Sequence, residues 1–198
     1  MPQATPAIYA PPNWLDPLDW RQVFQTAGPI EVDVGCGKGG FLLWAAQARR
    51  GSNFVGIERR LVRLRKVEKK VQRLGLTNIR LIRIEASYCI GKLVPDDSIS
   101  VYHIHFPDPW PKRRHQARRL FQPGFVADLH RTLRKDGAVN VTTDDEDYFA
   151  RIESVMAHGE RFAGIAPERL PEEAMTEFER IFCAKGQPIY RGRYVRRD

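Results

Sequence analysis

The stretch Pro29-Ile-Glu-Val-Asp-Val-Gly-Cys-Gly-Lys-Gly-Gly40 decides how this chain folds. Ile30–Val34 has strand composition and runs into a glycine-rich turn, after which residues 41–48 read as a helix. Gly35, Gly37 and Gly40 fit the spacing G-x-G-x-x-G between a strand and a helix, where a ligand's backbone comes close to the loop. That spacing serves a dinucleotide and S-adenosylmethionine equally. Asp33 separates the two. A pyrophosphate would meet an added negative charge there, whereas S-adenosylmethionine carries an ammonium and a sulfonium.

The strand–helix alternation continues outward from this stretch. Asn53–Ile57 is a second strand and ends at Glu58, an acid placed to hold a ribose diol. Residues 59–74 carry Leu61, Leu64, Val67, Val71 and Leu74 at helical spacing, and Gly75 stops them. Residues 79–84 alternate as a third strand, with Glu85 beyond it facing the expected position of an adenine amino group. Residues 100–106 form a fourth strand. A helix follows over 123–135, with Pro123 near its start and Gly137 after its basic last turn, and residues 138–142 make a fifth strand. Asp144, Asp145, Glu146 and Asp147 then place acids at the positive end of another helix. Residues 161–165, 180–184 and 189–195 read as short strands.

The expected fold is therefore α/β, a mostly parallel, doubly wound sheet finished by a C-terminal antiparallel hairpin. Residues 1–20, with five prolines and with Trp14 and Trp20, predict an irregular arm docked by its aromatics and mobile at its tip. Residues 21–198 are expected to form one domain.

A second stretch carries the chemistry: Phe106-Pro-Asp-Pro-Trp-Pro-Lys-Arg-Arg-His-Gln-Ala-Arg-Arg119. Asp108 is clamped between Pro107 and Pro109, so its backbone is stiff and cannot continue a helix. It lies at a strand's C-terminal end, where open α/β sheets place their ligands. A fixed carboxylate beside Trp110 suits a planar, hydrogen-bond-donating ring, and the cations that follow suit phosphates. Trp110 is expected to brace this loop rather than stack on a base.

The net charge of +8 points to a polyanionic partner, and the interleaved aromatics favour nucleic acid over a membrane surface. Residues 59–74 alone hold eight cations against one acid, Glu68, which extends the expected RNA surface. Hydrophobic residues at 42% and charged residues at 28% are the balance of an ordinary globular protein, with no leader or membrane span expected. Cys36, Cys89 and Cys183 are few and scattered. They indicate a reducing, cytoplasmic setting and neither a disulfide framework nor a zinc site. His103 and His105 share a strand face, where packing is expected and metal is not.

With these residues in view, the chain resembles the bacterial-type tRNA (guanine-N7-)-methyltransferases, class I S-adenosylmethionine-dependent enzymes with a Rossmann-like fold. The resemblance rests on residues 32–39, Gly-Ile-Glu at 56–58, Phe-Pro-Asp-Pro-Trp-Pro-Lys at 106–112 and Arg-His-Gln-Ala-Arg-Arg at 114–119. It extends through Thr-Asp at 143–144, Thr-Glu-Phe-Glu at 176–179 and Gly-Gln-Pro-Ile-Tyr-Arg at 186–191. It implies methyl transfer to N7 of a guanosine in the tRNA variable loop. S-adenosylmethionine would be held by Asp33, Glu58, Glu85 and Asp108, beside Gly35 and Gly37, with Asp108 catalytic. It further implies target contacts at Lys112, Asp144, Thr176, Glu177, Phe178 and Glu179, and RNA contacts along Arg114, His115, Arg118 and Arg119.

Three positions differ from what the family often carries: Glu85 replaces Asp, Asp145 replaces a bulky residue, and Glu177 stands where many members have Lys. No protein partner is required, so a monomer or homodimer is expected. Two other readings stay open: a methyltransferase acting on another RNA or a small molecule, and a non-catalytic RNA-binding protein on a dinucleotide-type fold. The basic surface argues against a small acceptor. The second reading leaves four acids without a shared purpose.

Overall fold

The computed structural model describes residues 6–198. Seven strands form one sheet in the order β3-β2-β1-β4-β5-β7-β6. They are β1 Ile30–Val34, β2 Asn53–Ile57, β3 Ile79–Ile82, β4 Ile99–His105, β5 Leu133–Thr143, β6 Phe162–Ile165 and β7 Tyr190–Arg196. The first five pair in parallel, and β7 runs antiparallel to both β5 and β6. The helices are α1 Trp20–Val23, α2 Gly40–Ala48, α3 Leu61–Arg73, α4 Ala86–Tyr88, α5 Pro123–Thr132, α6 Glu146–Ala157 and α7 Glu177–Ala184.

The sheet's two faces bury separate apolar clusters. One contains Val32, Ile57, Tyr102, Leu129, Val139 and Ile152, and the other contains Phe41, Leu42, Leu64, Val67 and Leu81. Strands β1 and β2 are buried along their whole length, the expected state of a parallel sheet covered on both faces. The order reverses at β1, between β2 and β4. Their carboxyl ends therefore diverge and open the crevice in which α/β folds bind ligands.

One expectation needs correction. Residues 180–184 are helix, not strand. Thr176 caps α7 by accepting a hydrogen bond from Glu179 N at 3.1 Å, and that cap outweighs the strand-like Arg-Ile-Phe-Cys-Ala composition. Strands β6 and β7 pair, but no tight turn joins them. Their connection holds α7, so it reaches back across the carboxyl edge of the sheet.

The N-terminal arm docks by backbone and by side chains, with Tyr9 and Trp20 packed against the core. Leu81 N donates to Ala7 O and Tyr9 N to Leu81 O, both at 2.8 Å, extending the edge at β3. Ala7 and Leu18 are buried, Trp14 is exposed, and Trp20 packs partly buried beside Phe24. The expectation for the arm's tip falls on residues 1–5, outside the described residues.

Candidate active site

At the end of β1 the chain turns through left-handed glycines, with φ +75° at Gly35, +54° at Gly37 and +75° at Gly39. A side chain at Gly39 would sit 2.8 Å from Val67, so this turn requires glycine for space as well as for φ. Gly40 has no such need, because it is already the first residue of α2. No side chain caps α2, so its first N–H groups face the crevice.

Asp33 lies beneath this turn. It is buried, and its pKa is pushed up to about 7 first by desolvation and then by the negative charge of Glu58. Glu58 is also buried, but it is held: Arg60 N donates to it at 2.9 Å and Arg63 at 3.2 Å. An acid kept in this state, beside free N–H groups, fits a ligand bearing both an ammonium and a carboxylate. Glu85 stands differently. It is exposed and accepts from Tyr88 N at 2.8 Å as the cap of α4.

After β4 the backbone enters the left-handed region twice at bulky residues, with φ +51° at Phe106 and +43° at Trp110. Such values are strained for aromatic side chains and persist only where the surroundings enforce them. Here Phe106 N donates to Thr142 O at 2.7 Å, and its ring lies 5.4 Å from Phe182 and 6.3 Å from Phe178 on α7. Trp110 is half-buried with His115 edge-on at 5.7 Å and the Arg118 guanidinium over its ring at 5.2 Å. Asp108 projects exposed between these two strained residues.

Of the cationic run, Lys112, Arg113, Arg114 and Arg118 are exposed and His115 is half-buried. Arg119 departs from the expectation of an RNA contact. It is buried, its Nε donates to Pro109 O at 2.7 Å, and its guanidinium lies 4.7 Å over the Tyr148 ring. With its Nε bonded to Pro109 O and most of its side chain buried, it is directed at the protein rather than at open solvent. Arg59, Arg60, Arg63 and Lys66, with Lys38 and Arg83, line a basic groove of about 600 Å³ beside α3.

The target-side residues expected from 144 and 176–179 converge on the same edge. Asp145, not Asp144, caps α6, through Tyr148 N at 2.7 Å, which leaves the half-buried Asp144 carboxylate outside that cap. Thr176 is occupied as the α7 cap. Glu177 reaches Lys38 of the glycine turn at 2.6 Å, and Phe178 is half exposed beside Phe182. Glu179 is buried and ion-paired to Arg191 of β7. Together with His105, Thr142 and Met175, this pair lines a cavity of about 540 Å³.

Sequence reasoning missed Lys38 and Tyr148 as contributors, and no local pattern announces them. The Thr-x-x-Glu capping box at 176–179 was a readable signal for α7. His103 is taken up by packing and hydrogen bonds. Its Nε2 donates to the buried Glu31 at 2.9 Å, and its Nδ1 accepts from Asn140 at 3.3 Å. Burial alone would raise the Glu31 pKa, but His103 and Arg49 outweigh it and hold the carboxyl below its usual range.

Residues 27–192 match a family model described as a putative methyltransferase. The chain is 33% identical over 175 residues to the tRNA (guanine-N(7)-)-methyltransferase of Thermotoga maritima, covering 88% of this chain and 56% of that one. It is 32% identical over 192 residues to the Geobacter metallireducens protein of the same name, covering 94% and 91%. Among solved structures, the aminoglycoside resistance methyltransferase NpmB1 superimposes with a TM-score of 0.60 at 15% identity, over 90% of this chain and 92% of that one. An rRNA methylase from Streptococcus thermophilus gives 0.58 at 15%, over 87% and 89%, so both share the fold.

Proposed function

The chain belongs to the tRNA (guanine-N(7)-)-methyltransferase family, and from that premise we propose that it methylates N7 of a guanosine in the variable loop of tRNA, with S-adenosylmethionine as donor. The observation that carries this reading is the pairing of two acids on one sheet edge. Asp33 is buried under the glycine turn, and Asp108 is exposed on a proline-clamped turn that opens a cationic run.

S-adenosylmethionine, when bound, supplies an electrophilic methyl group on a sulfonium. Asp33 would meet its ammonium, Glu58 its ribose, and Glu85 its adenine if the α4 cap is released. N7 of guanine already has a lone pair, so no base is needed and the chain's work is orientation and electrostatics. Asp108 accepts hydrogen bonds from the guanine N–H edge and offsets the positive charge the purine acquires. Lys112, Asp144 and the segment 176–179 hold the nucleotide, while Arg114, His115 and Arg118 take the backbone. Among the described residues no helix is long and apolar enough to cross a membrane. Three free cysteines support a cytoplasmic setting.

The test is a tRNA transcript with 7-deazaguanosine at the target position, read by nucleoside mass spectrometry. Binding should persist, because the N–H edge and phosphates are intact, and methylation of that residue should vanish. Methylation that continues there would make another atom the acceptor.

A further inference from the structure

Arg119 is the one cation of the run that the fold keeps for itself. We propose that it is a positioning residue for methyl transfer, joining the loop that bears Asp108 to the loop that bears Asp144. This rests on the function proposed above and departs from the RNA contact expected at this position.

The joint can be followed atom by atom. Arg119 Nε donates to Pro109 O, the carbonyl immediately after Asp108, at 2.7 Å. Its guanidinium carbon lies 4.7 Å from the centroid of the Tyr148 ring, which is fully buried in the first turn of α6. Tyr148 N donates to Asp145 at 2.7 Å, and Asp145 N donates to Thr143 Oγ1 at 3.2 Å, so the same turn fixes the backbone on either side of Asp144. Tyr148 OH accepts from Phe121 N at 3.3 Å, which ties the ring to the segment just after the basic run. Gln122 Nε2 donates to the carbonyls of both Gln116 and Arg119 at 3.2 Å, closing the end of the run against the core.

The strain gives this joint its purpose. Prolines on both sides of Asp108 remove the N–H groups that would otherwise anchor the turn, while Phe106 and Trp110 are held at positive φ. Pro109 O is therefore one of the few handles by which this segment can be fixed, and Arg119 holds it. Lysine preserves the charge but lacks the planar, directed Nε–H and the stacking face.

The experiment compares Arg119→Lys with Arg118→Ala. Arg119→Lys should lower kcat about tenfold or more, because small misplacements of a reacting group are costly. Its tRNA affinity, the salt dependence of that affinity and its cofactor affinity should stay at the parent's values. Arg118→Ala should instead weaken tRNA binding and flatten its salt dependence. Tyr148→Leu should repeat the kcat loss, and Tyr148→Phe, which keeps the ring face and loses only the OH bond to Phe121 N, should lose less.

Amide hydrogen exchange gives a readout independent of RNA: the hydrogen-bonded amides that bracket the loop, Phe106 N to Thr142 O and His115 N to Lys112 O, should exchange faster in Arg119→Lys than in the parent. A normal kcat in Arg119→Lys, a loss cured by excess tRNA, or unchanged exchange overturns the inference. If the parent methylates no tRNA at all, the proposed function falls and the exchange measurement alone decides on Arg119.

Discussion

In the proposed site, Asp33 and Asp108 are set in place by opposite means. Asp33 is charged at a cost: burial and Glu58 raise its pKa to about 7, so its ionised form waits for a cation. Asp108 is exposed and its placement comes from geometry, through two prolines, two strained aromatics and a handle at Pro109 O. On the proposed assignment, the cofactor end is prepared electrostatically and the target end mechanically. The first should respond to pH and the second to disruption of packing.

The largest expected effect comes from breaking the mechanical end. Asp108→Ala should reduce turnover by about a hundredfold or more with the unfolding midpoint unchanged, since the residue is exposed and reacts only through orientation and charge. Asp108→Asn should also be poor, because the amide offers one acceptor oxygen where the carboxylate offers two and carries no charge. Single-turnover rates at saturating tRNA check both, and a near-normal rate in both would remove Asp108 from the mechanism.

Next comes the electrostatic end. The folded pKa of Asp33 exceeds its ordinary 3.8, so between about pH 4 and 7 the folded state holds a proton that the unfolded chain has lost. Stability contributed by this group is complete below that window, falls as pH rises through it, and is level above. Asp33→Asn should raise the unfolding midpoint of the ligand-free protein at pH 8 and change it little at pH 4. The same substitution should weaken S-adenosylmethionine binding roughly ten- to hundredfold. Affinity of the parent should rise with pH through about 7, and that rise should be absent from the variant. Calorimetric titration at several pH values checks this, and an identical pH profile in both proteins would dissociate Asp33 from the ligand.

A smaller effect is expected from the exposed cations. Replacing Arg114 and Arg118 together should flatten the slope of log tRNA affinity against log salt by roughly one to two units. An unchanged slope would shift attention to the groove lined by Arg59, Arg60 and Lys66. The smallest effect belongs to the exposed Lys38–Glu177 pair, which bridges the two ends. Glu177→Lys should leave the unfolding midpoint within experimental scatter, as solvent-exposed pairs contribute little. Any change should appear in cofactor dissociation rate, measured by stopped flow.

Much of this molecule was legible along the chain. The five parallel strands follow from short apolar runs ended by turn residues. The glycine turn and the proline clamp follow from residues whose backbone range is intrinsically narrow or intrinsically wide. The acids at the strand ends could be named for the same reason, since a strand end is a local feature. Other assignments depended on partners distant in sequence. Residues 180–184 have strand composition but follow the cap at Thr176, and Glu85 caps α4 in this structure. Glu179 is buried because Arg191 arrives on a strand inserted between β5 and β6.

Arg119 shows the division most clearly. Beside Arg118 it is chemically the same residue in the same basic run, yet one guanidinium covers Trp110 from the solvent side and the other lies inside, over Tyr148. The sequence by itself determined where charges stand along the backbone, because backbone preference is set within a few residues. Only the tertiary structure decided which of those charges face water, because desolvation depends on whatever else packs over them, from anywhere in the chain.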